Sequence, residues 1–239
     1  MAKFRSVIER EQQDAFWDIC ESGTAQEVRK AIDAGANVNY VYEYDSTVLM
    51  GAAHSNTPDV IKLLIDAGAD IRALEQDGNT PLGWAAVANT PEAVKVLLDA
   101  GASPNIARDD GITPLMSAAK KNTSEVIKVL LAGGANPNAK DTNGMTALMY
   151  AAMNNPDPKV LDALIEGGAE DARDNKGRTA LMLAAQWNTP EVIAALLEAG
   201  SDPSAGDKDG MTALAYAQGN SRLQDKDIIK ELVRKSKGV

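Results

Sequence analysis

Residues 78–105 read GNTPLGWAAVANTPEAVKVLLDAGASPN, and this stretch decides the fold because most of its pattern recurs along the chain. A threonine followed two residues later by leucine stands at a constant spacing of 33 residues, at Thr47, Thr80, Thr113, Thr146, Thr179 and Thr212. Paired alanines follow in most copies, and apolar stretches ending in glycine recur with nearly the same period. Such a period is typical of a stacked array in which each repeat contacts only its neighbours.

Each repeat is predicted to form two short helices. In the quoted unit, Thr80 is the expected N-cap of the first helix, and Pro81 fits the first turn, where no amide donor is needed. Asn89 is expected to take the left-handed conformation that ends helices. Residues 90–92, Thr-Pro-Glu, start the second helix with an acid favoured by the helix dipole, and Gly101 closes it.

About a dozen polar residues, here called a finger, separate each second helix from the next threonine. They end in a two-residue turn signal typical of tight hairpins, at Asp77-Gly78, Asp110-Gly111, Asn143-Gly144, Asp209-Gly210 and, less ideally, Lys176-Gly177. The first finger has Asp45-Ser46 instead, which predicts an irregular tip. Tyr40, Tyr42 and Tyr44 alternate before it, so they are predicted either to share one face of this finger or to shield the N-terminal cap.

These residues resemble the ankyrin repeat, whose pattern is a turn, Gly-x-Thr-Pro-Leu-His-x-Ala-Ala, a second helix with paired leucines, and Gly-Ala-Asp. The resemblance runs from about residue 14 to the end and implies an all-α repeat solenoid, an ankyrin-repeat stack of seven helix pairs with short β-hairpin fingers. The family's histidine position holds Met50, Gly83, Met116, Met149, Met182 and Ala215. In family members that histidine helps to fix the loop between repeats, so this array is expected to fix its fingers in another way.

The expected organisation is a single array over residues 1–239. It comprises an N-terminal cap unit over 1–43, five full repeats over 44–208 and a C-terminal cap repeat over 209–239. Asp14 stands one period before the first threonine of the series and is the predicted N-cap of the first helix pair. In the last repeat, an apolar inner stripe with Lys and Arg outside suits a terminal repeat that meets solvent.

Composition narrows the function classes. The chain carries 24 Lys and Arg against 34 Asp and Glu, a net charge of -10, which is the wrong sign for general binding to nucleic-acid phosphates. The single cysteine, Cys20, excludes an intramolecular disulfide, and the single histidine, His54, excludes sites that need two imidazoles. No signal-peptide core or membrane-length apolar run is present. We expect a soluble monomer without membrane insertion or cofactor, cytoplasmic unless a removed leader directs it to the periplasm or outside the cell.

Function must then be read from positions that the core does not use. On each first helix the buried set lies two, five and six residues after the threonine, so the exposed set lies at four, seven and eight. The position four residues after the threonine holds Gly51, Trp84, Ser117, Tyr150, Leu183 and Tyr216. Large apolar and aromatic side chains on a face that should be solvated are typical of binding surfaces.

The candidate binding residues therefore combine this helix face with the finger tips. They are Tyr44, His54, Trp84, Ile112, Lys120, Lys121, Met145, Tyr150, Met153, Arg178, Trp187, Met211 and Tyr216. An aromatic residue at position four can instead pack across the seam between repeats. Lys120 and Lys121 are either solvated lysines or a complement to an acidic partner segment. His54 is expected to be a surface residue rather than a base, and Cys20 a core residue.

The leading hypothesis is a non-enzymatic scaffold that binds a protein or peptide along the concave groove of first helices and hairpin tips. The family resemblance implies this binding function. In addition, no set of catalytic residues is evident in the sequence. The alternative is a small molecule or organic cation held among Trp84, Tyr150 and Trp187 by stacking or cation–π contact. A carboxylate-based enzyme is a third possibility, for which no pair of acids is singled out.

Overall fold

The structure, a computed structural model, describes residues 2–221, 223 and 226–236. Fourteen α-helices in seven consecutive pairs account for most of these residues, so the predicted all-α repeat solenoid is confirmed. Between described residues, β pairing is limited to single bridges that join Val41 to Thr47 and Gly206 to Thr212. The fingers are therefore turns rather than two-stranded ribbons. The chain divides into two compact units, Met1–Asp109 and Asp110–Val239.

The first unit holds three helix pairs. They are α1 (Ala2–Ser22) with α2 (Ala25–Asp33), α3 (Val48–Ser55) with α4 (Pro58–Asp66), and α5 (Pro81–Ala88) with α6 (Pro91–Asp99). The first helices α1, α3 and α5 pack side by side, as do the second helices α2, α4 and α6. Leu49, Ala52 and Ala53 of α3 are fully buried, as the repeat pattern predicts. Small side chains at these positions let neighbouring helices approach closely.

The second unit holds four pairs. They are α7 (Pro114–Lys121) with α8 (Ser124–Ala132), α9 (Ala147–Asn154) with α10 (Pro158–Glu166), α11 (Ala180–Trp187) with α12 (Pro190–Glu198), and α13 (Ala213–Ala217) with α14 (Lys226–Ser236). An extra residue in the loop before α10 is absorbed there, because Asp157 replaces threonine as N-cap and accepts a hydrogen bond from the amide of Lys159. On the first helices, Thr80, Thr113, Thr146 and Thr179 cap through the side chain, as where Thr146 accepts from the amide of Met149, whereas Thr47 and Thr212 precede their helices without such a bond.

The predicted N-cap at Asp14 is wrong. Helix α1 runs without a break from Ala2 to Ser22, so Asp14 lies inside it and is exposed. Residues 2–13 contain neither glycine nor proline, and most of them are good helix formers. A helix that already has a packed C-terminal half therefore extends toward the N-terminus at little cost, since each added residue gains one hydrogen bond.

The prediction for Asn89 is also wrong, because its backbone is extended, with φ -99° and ψ 177°. Its side-chain amide donates to the carbonyl oxygens of Ala53 at 2.8 Å and Asn56 at 2.9 Å, and its Oδ1 accepts from the amide of Thr90 at 2.7 Å. The amide groups of Asn56, Asn155, Asn188 and Asn220 likewise donate to the preceding repeat. Asparagine suits this position because a short side chain with both donors and acceptors joins consecutive repeats.

Two further properties bear on function. Among the described residues, no helix is both long enough and apolar enough to cross a membrane. Cys20 is fully buried, as predicted, and burial raises the pKa of its thiol to about 12. The thiolate, which is the reactive form, is therefore scarce at neutral pH.

Candidate binding surfaces

Four of the finger tips are three-residue turns that end in a left-handed glycine. In the finger before α9, the amide of Asp141 donates to the carbonyl of Met145, and the amide of Gly144 donates back to the carbonyl of Asp141, both at 3.0 Å. Gly144 has φ +77°, whereas Asn143 is not among the residues with positive φ. The predicted two-residue hairpin turns, which need two left-handed residues, are therefore wrong for this finger. The tips beginning at Glu75, Asp174 and Asp207 have the same two bonds.

The first residue of each such tip is an acid, and we call Glu75, Asp141, Asp174 and Asp207 the finger acids. Oδ1 of Asp141 accepts from the amides of Asn143 and Met145, both at 2.8 Å. Its Oδ2 accepts from the Tyr150 hydroxyl at 2.7 Å. This side chain therefore fixes the turn and ties it to the first helix of its own repeat.

The same link recurs wherever an aromatic residue stands nine positions after a finger acid. The Tyr216 hydroxyl donates to Oδ2 of Asp207 at 2.6 Å, and Nε1 of Trp84 donates to Oε2 of Glu75 at 3.1 Å. Partial burial and the bond to Asp207 raise the pKa of Tyr216 to about 12, and the bond from Tyr216 lowers the pKa of Asp207. Three of the predicted binding aromatics thus stabilise their own fingers, a role that the resemblance implied for the missing histidine.

The fourth finger acid uses a different partner. Asp174 has Leu183 nine positions later, and Arg178 donates to its Oδ2 instead, from Nε at 2.8 Å and from Nη2 at 2.7 Å. Leu183 is fully buried, so its predicted exposure is wrong. Arg178 keeps only 21% of its side chain exposed, and its charge is neutralised by Asp174. Met145 is 5% exposed, so its predicted exposure is also wrong: its backbone closes a turn and its side chain packs into the interior.

The family's histidine position is filled in several ways. Sδ of Met116 accepts from the amide of Thr113 at 3.5 Å, and Sδ of Met182 accepts from the amide of Thr179 at 3.4 Å. At Gly83, a Cβ atom would lie 2.0 Å from the side-chain oxygen of Asn79, which occupies the vacated space. Backbone bonds between consecutive fingers add to this, within each unit, at Gln76 to Tyr44, Asp109 to Asp77, Thr142 to Asp110, Asn175 to Asn143 and Lys208 to Lys176.

The first finger is irregular, as predicted. It forms a single 3-10 turn, Glu43–Asp45, in which Tyr44 and Asp45 have φ of 61° and 59°. Left-handed backbone is costly for residues other than glycine, and Asp45 stands where the five later fingers carry glycine. The side chain of Tyr44 is 72% exposed at this tip.

The other two tyrosines of this finger pack against the N-terminal cap. The Tyr42 ring meets the rings of Trp17 and Tyr40 edge to face, at centroid distances of 4.8 Å and 4.9 Å. Its hydroxyl donates to the carbonyl of Gln13. Tyr40 and Tyr42 thus shield the cap, and all three tyrosines also line one cleft of about 710 Å³ between α1 and the finger, here called the first-finger cleft.

A second, smaller cleft lies beside it and shares Trp17 and Ser46. Its volume is about 220 Å³, and Met50, His54 and Trp84 contribute to its walls. The His54 and Trp84 rings meet edge to face at 5.2 Å. Trp17 was not singled out from the sequence because it stands one period before Met50, at a position where most later repeats bury a side chain. Its contact with the Tyr42 ring and its position in both clefts are seen in the structure, and no signal in the sequence indicates them.

The predicted binding residues therefore differ in accessibility. Those that are exposed are Tyr44, Lys120, Lys121, Trp187 and Met211; those that are half-buried are His54, Trp84, Ile112, Tyr150, Met153, Arg178 and Tyr216; Met145 is buried. Both proposed roles of the two lysines stay predictions. The small-molecule site among Trp84, Tyr150 and Trp187 also stays a prediction, and two of those three side chains have a structural bond partner. Within the described part of the chain, no group of His, Cys, Asp and Glu could hold a metal ion.

Repeated helix pairs joined by fingers define a repeat solenoid. Comparison with known proteins identifies the repeat family. An ankyrin-repeat family model matches three times, over residues 16–108, 100–170 and 153–239, so the chain belongs to the ankyrin-repeat family. The crystal structure of the human ASB11 ankyrin repeat domain is similar in fold, with a TM-score of 0.81 at 24% sequence identity, covering 91% of this chain and 96% of that one. A comparison with curated proteins found no match. Ankyrin repeats are generally protein-interaction scaffolds and are typically not enzymes.

Proposed function

We propose that this protein is a non-enzymatic scaffold that binds a protein or peptide through its fingers and the exposed face of its first helices. One observation carries the proposal. The large hydrophobic side chains that are exposed among the described residues are Val41, Tyr44, Leu74, Trp187 and Met211. Four of them lie in fingers and the fifth lies on the first helix α11, whereas the second helices expose none of comparable size.

This distribution supports binding because exposed large apolar side chains are unfavourable in water unless a partner covers them. Aromatic residues such as Tyr44 and Trp187 are also frequent energetic anchors of protein interfaces. The tethered residues Trp84, Tyr150 and Tyr216 contribute in another way, since they hold the fingers in place and lower the entropic cost of binding.

The test begins with a partner isolated from the native host by affinity purification and then produced as a pure protein. Binding is measured by calorimetry with Tyr44→Ser, Trp187→Ala and Met211→Ser, one at a time. Loss of at least one such anchor should weaken binding by about tenfold or more, as expected for an interface hot spot. Lys128→Ala, an exposed change on the second helix α8, is the control. The proposal would be refuted if Tyr44→Ser, Trp187→Ala and Met211→Ser each changed the affinity for the partner no more than Lys128→Ala does.

A further inference from the structure

The first-finger cleft has a strongly acidic wall. Asp14 and Asp18 lie one turn apart on α1, both exposed, and Glu43 begins the turn of the first finger on the other side. The residues that line this cleft in the described structure include no lysine or arginine. Two like charges four residues apart on a helix repel each other, so a cation between them and the finger would relieve that repulsion.

The cleft also has an aromatic wall, formed by Trp17, Tyr40 and Tyr42. Their rings meet edge to face, and all three side chains are half-buried, so part of each stays accessible beside the cleft. Burial raises the pKa of Tyr42, and the charges of Asp14 and Asp18 raise it further, so the acidic wall acts directly on the aromatic one. A cation in this space would therefore meet both carboxylates and aromatic side chains.

The position of Trp17 is set by a glycine. A Cβ atom added at Gly51 would lie 3.2 Å from Cζ2 of Trp17, so the indole ring rests directly against the α3 backbone. On its other side the same ring meets Tyr42. Trp17 thus separates the acidic first-finger cleft from the smaller cleft walled by Met50, His54 and Trp84. An extended ligand that crosses Trp17 would find an acidic subsite followed by one that is apolar apart from Glu21, Ser46 and His54.

We propose that the first-finger cleft binds the guanidinium group of an arginine in an extended segment of a protein partner, and that a neighbouring apolar side chain of that segment enters the smaller cleft. The inference rests on the proposed scaffold function and names the chemistry of its partner. A guanidinium is planar, stacks on aromatic rings and donates in parallel to carboxylates. A lysine ammonium lacks the planar fork, so arginine binds more tightly than lysine in the same segment.

The test uses the full chain labelled with ¹⁵N and titrated with Nα-acetylarginine amide. Nα-acetylcitrulline amide is the matched probe, because it has nearly the same shape without the charge. Arginine should shift the indole signal of Trp17 and the amide signal of Gly51 in a saturable way, and citrulline should not. Equal responses to both probes, or none to either, would refute the proposal.

Two double variants localise the effect. Asp14→Asn with Asp18→Asn should weaken arginine binding about fivefold, the size expected for losing two exposed charge contacts. Both residues are exposed on a helix, so the fold should tolerate their replacement. Asp33→Asn with Asp66→Asn removes the same charge from the ends of two second helices and should leave binding unchanged. Equal losses in the two double variants would show only a general charge effect and would also refute the site.

The native partner separates this inference from the scaffold function. If Trp187→Ala or Met211→Ser weakens partner binding while Asp14→Asn with Asp18→Asn does not, the scaffold function stands and the arginine site is wrong. If Tyr44→Ser, Trp187→Ala and Met211→Ser all leave partner binding unchanged but the arginine amide still shifts Trp17, the cleft binds a cation and the proposed use of the fingers and first helices for partner binding is wrong.

Discussion

The two units use their tyrosines differently. In the second unit, Tyr150 and Tyr216 are half-buried and donate to the finger acids Asp141 and Asp207. In the first unit, Tyr42 donates to a backbone carbonyl and packs on other rings, while Tyr44 is almost fully exposed at a strained tip. The difference follows from the finger. In the second unit each tyrosine stands on a first helix, nine residues after the acid that accepts from its hydroxyl, whereas in the first unit Tyr42 itself occupies the register position of the acid and Gly51 that of the helix tyrosine.

The comparison teaches that register alone does not assign a role to an aromatic residue in this repeat. Tyr150 and Tyr216 stand on the face where binding residues are expected, yet each has a structural bond that fixes its own finger. The clearest exposed aromatic of the first unit is instead at the irregular tip. An acid nine positions upstream marks the aromatic residues of the first helices that bond to a finger, at Trp84, Tyr150 and Tyr216.

The largest effect is expected from Asp141→Ala, which removes three hydrogen bonds to a carboxylate that is 7% exposed. Since bonds to charged groups are strong and the freed donors lose a buried partner, unfolding should become easier by about 3 kcal/mol. Urea denaturation followed by circular dichroism measures this. The control, Asp14→Ala with Asp18→Ala in the first-finger cleft, should change stability by less than about 0.5 kcal/mol. A similar loss of unfolding free energy in both variants would show that Asp141 is no more important for stability than the acids of the first-finger cleft.

A smaller effect is expected from Tyr150→Phe, which deletes only the hydroxyl that meets Asp141. The lost bond to a carboxylate should cost about 1.5 kcal/mol. Tyr44→Phe is the matched change at the exposed tip and should leave the free energy of unfolding unaltered. The same denaturation measurement distinguishes them, and a cost for Tyr44→Phe equal to that for Tyr150→Phe would contradict the assignment of roles.

The repeat itself could be predicted from the sequence because its spacing reflects packing that every unit shares. Leu49, Ala52 and Ala53 lie in the core as the pattern indicates. The failures concern side chains whose position depends on hydrogen bonds. Asn89 looks like a helix-ending residue in isolation, but its role is to bond the previous repeat.

The candidate site was less accessible to sequence reasoning for the same physical reason. Leu183 of α11 and Met145 of the finger before α9 occupy positions predicted to be exposed, yet both are buried. Trp17 occupies a position that is buried in most other repeats, and only its contact with Gly51 places it between two clefts. One signal was present and not used: an acid nine residues before an aromatic residue, as at Asp141 and Tyr150.

The subtlest difference between the units is expected in alkaline solution, where the bond between Tyr216 and Asp207 is lost. The pKa of Tyr216 is raised to about 12, so its stabilising effect is complete below the ordinary tyrosine pKa of about 10 and disappears as the pH rises through 12. The pKa of Asp207 is lowered, so its effect is present above the ordinary aspartate pKa of about 4 and disappears as the pH falls through the lowered value. Asp207→Asn removes the carboxylate's contribution to both effects, while the burial of Tyr216 remains.

The stability difference between the parent protein and Asp207→Asn should therefore be constant near neutral pH and shrink between about pH 10 and 12. Urea midpoints at several pH values measure it, and absorbance at 295 nm should show one tyrosine ionising earlier in the variant. Because both proteins retain Tyr42, whose pKa burial also raises, its titration cancels in the difference. A difference that stays constant to pH 12 would mean that the hydroxyl of Tyr216 does not fix its finger, and that the two units do not differ in the way their tyrosines suggest.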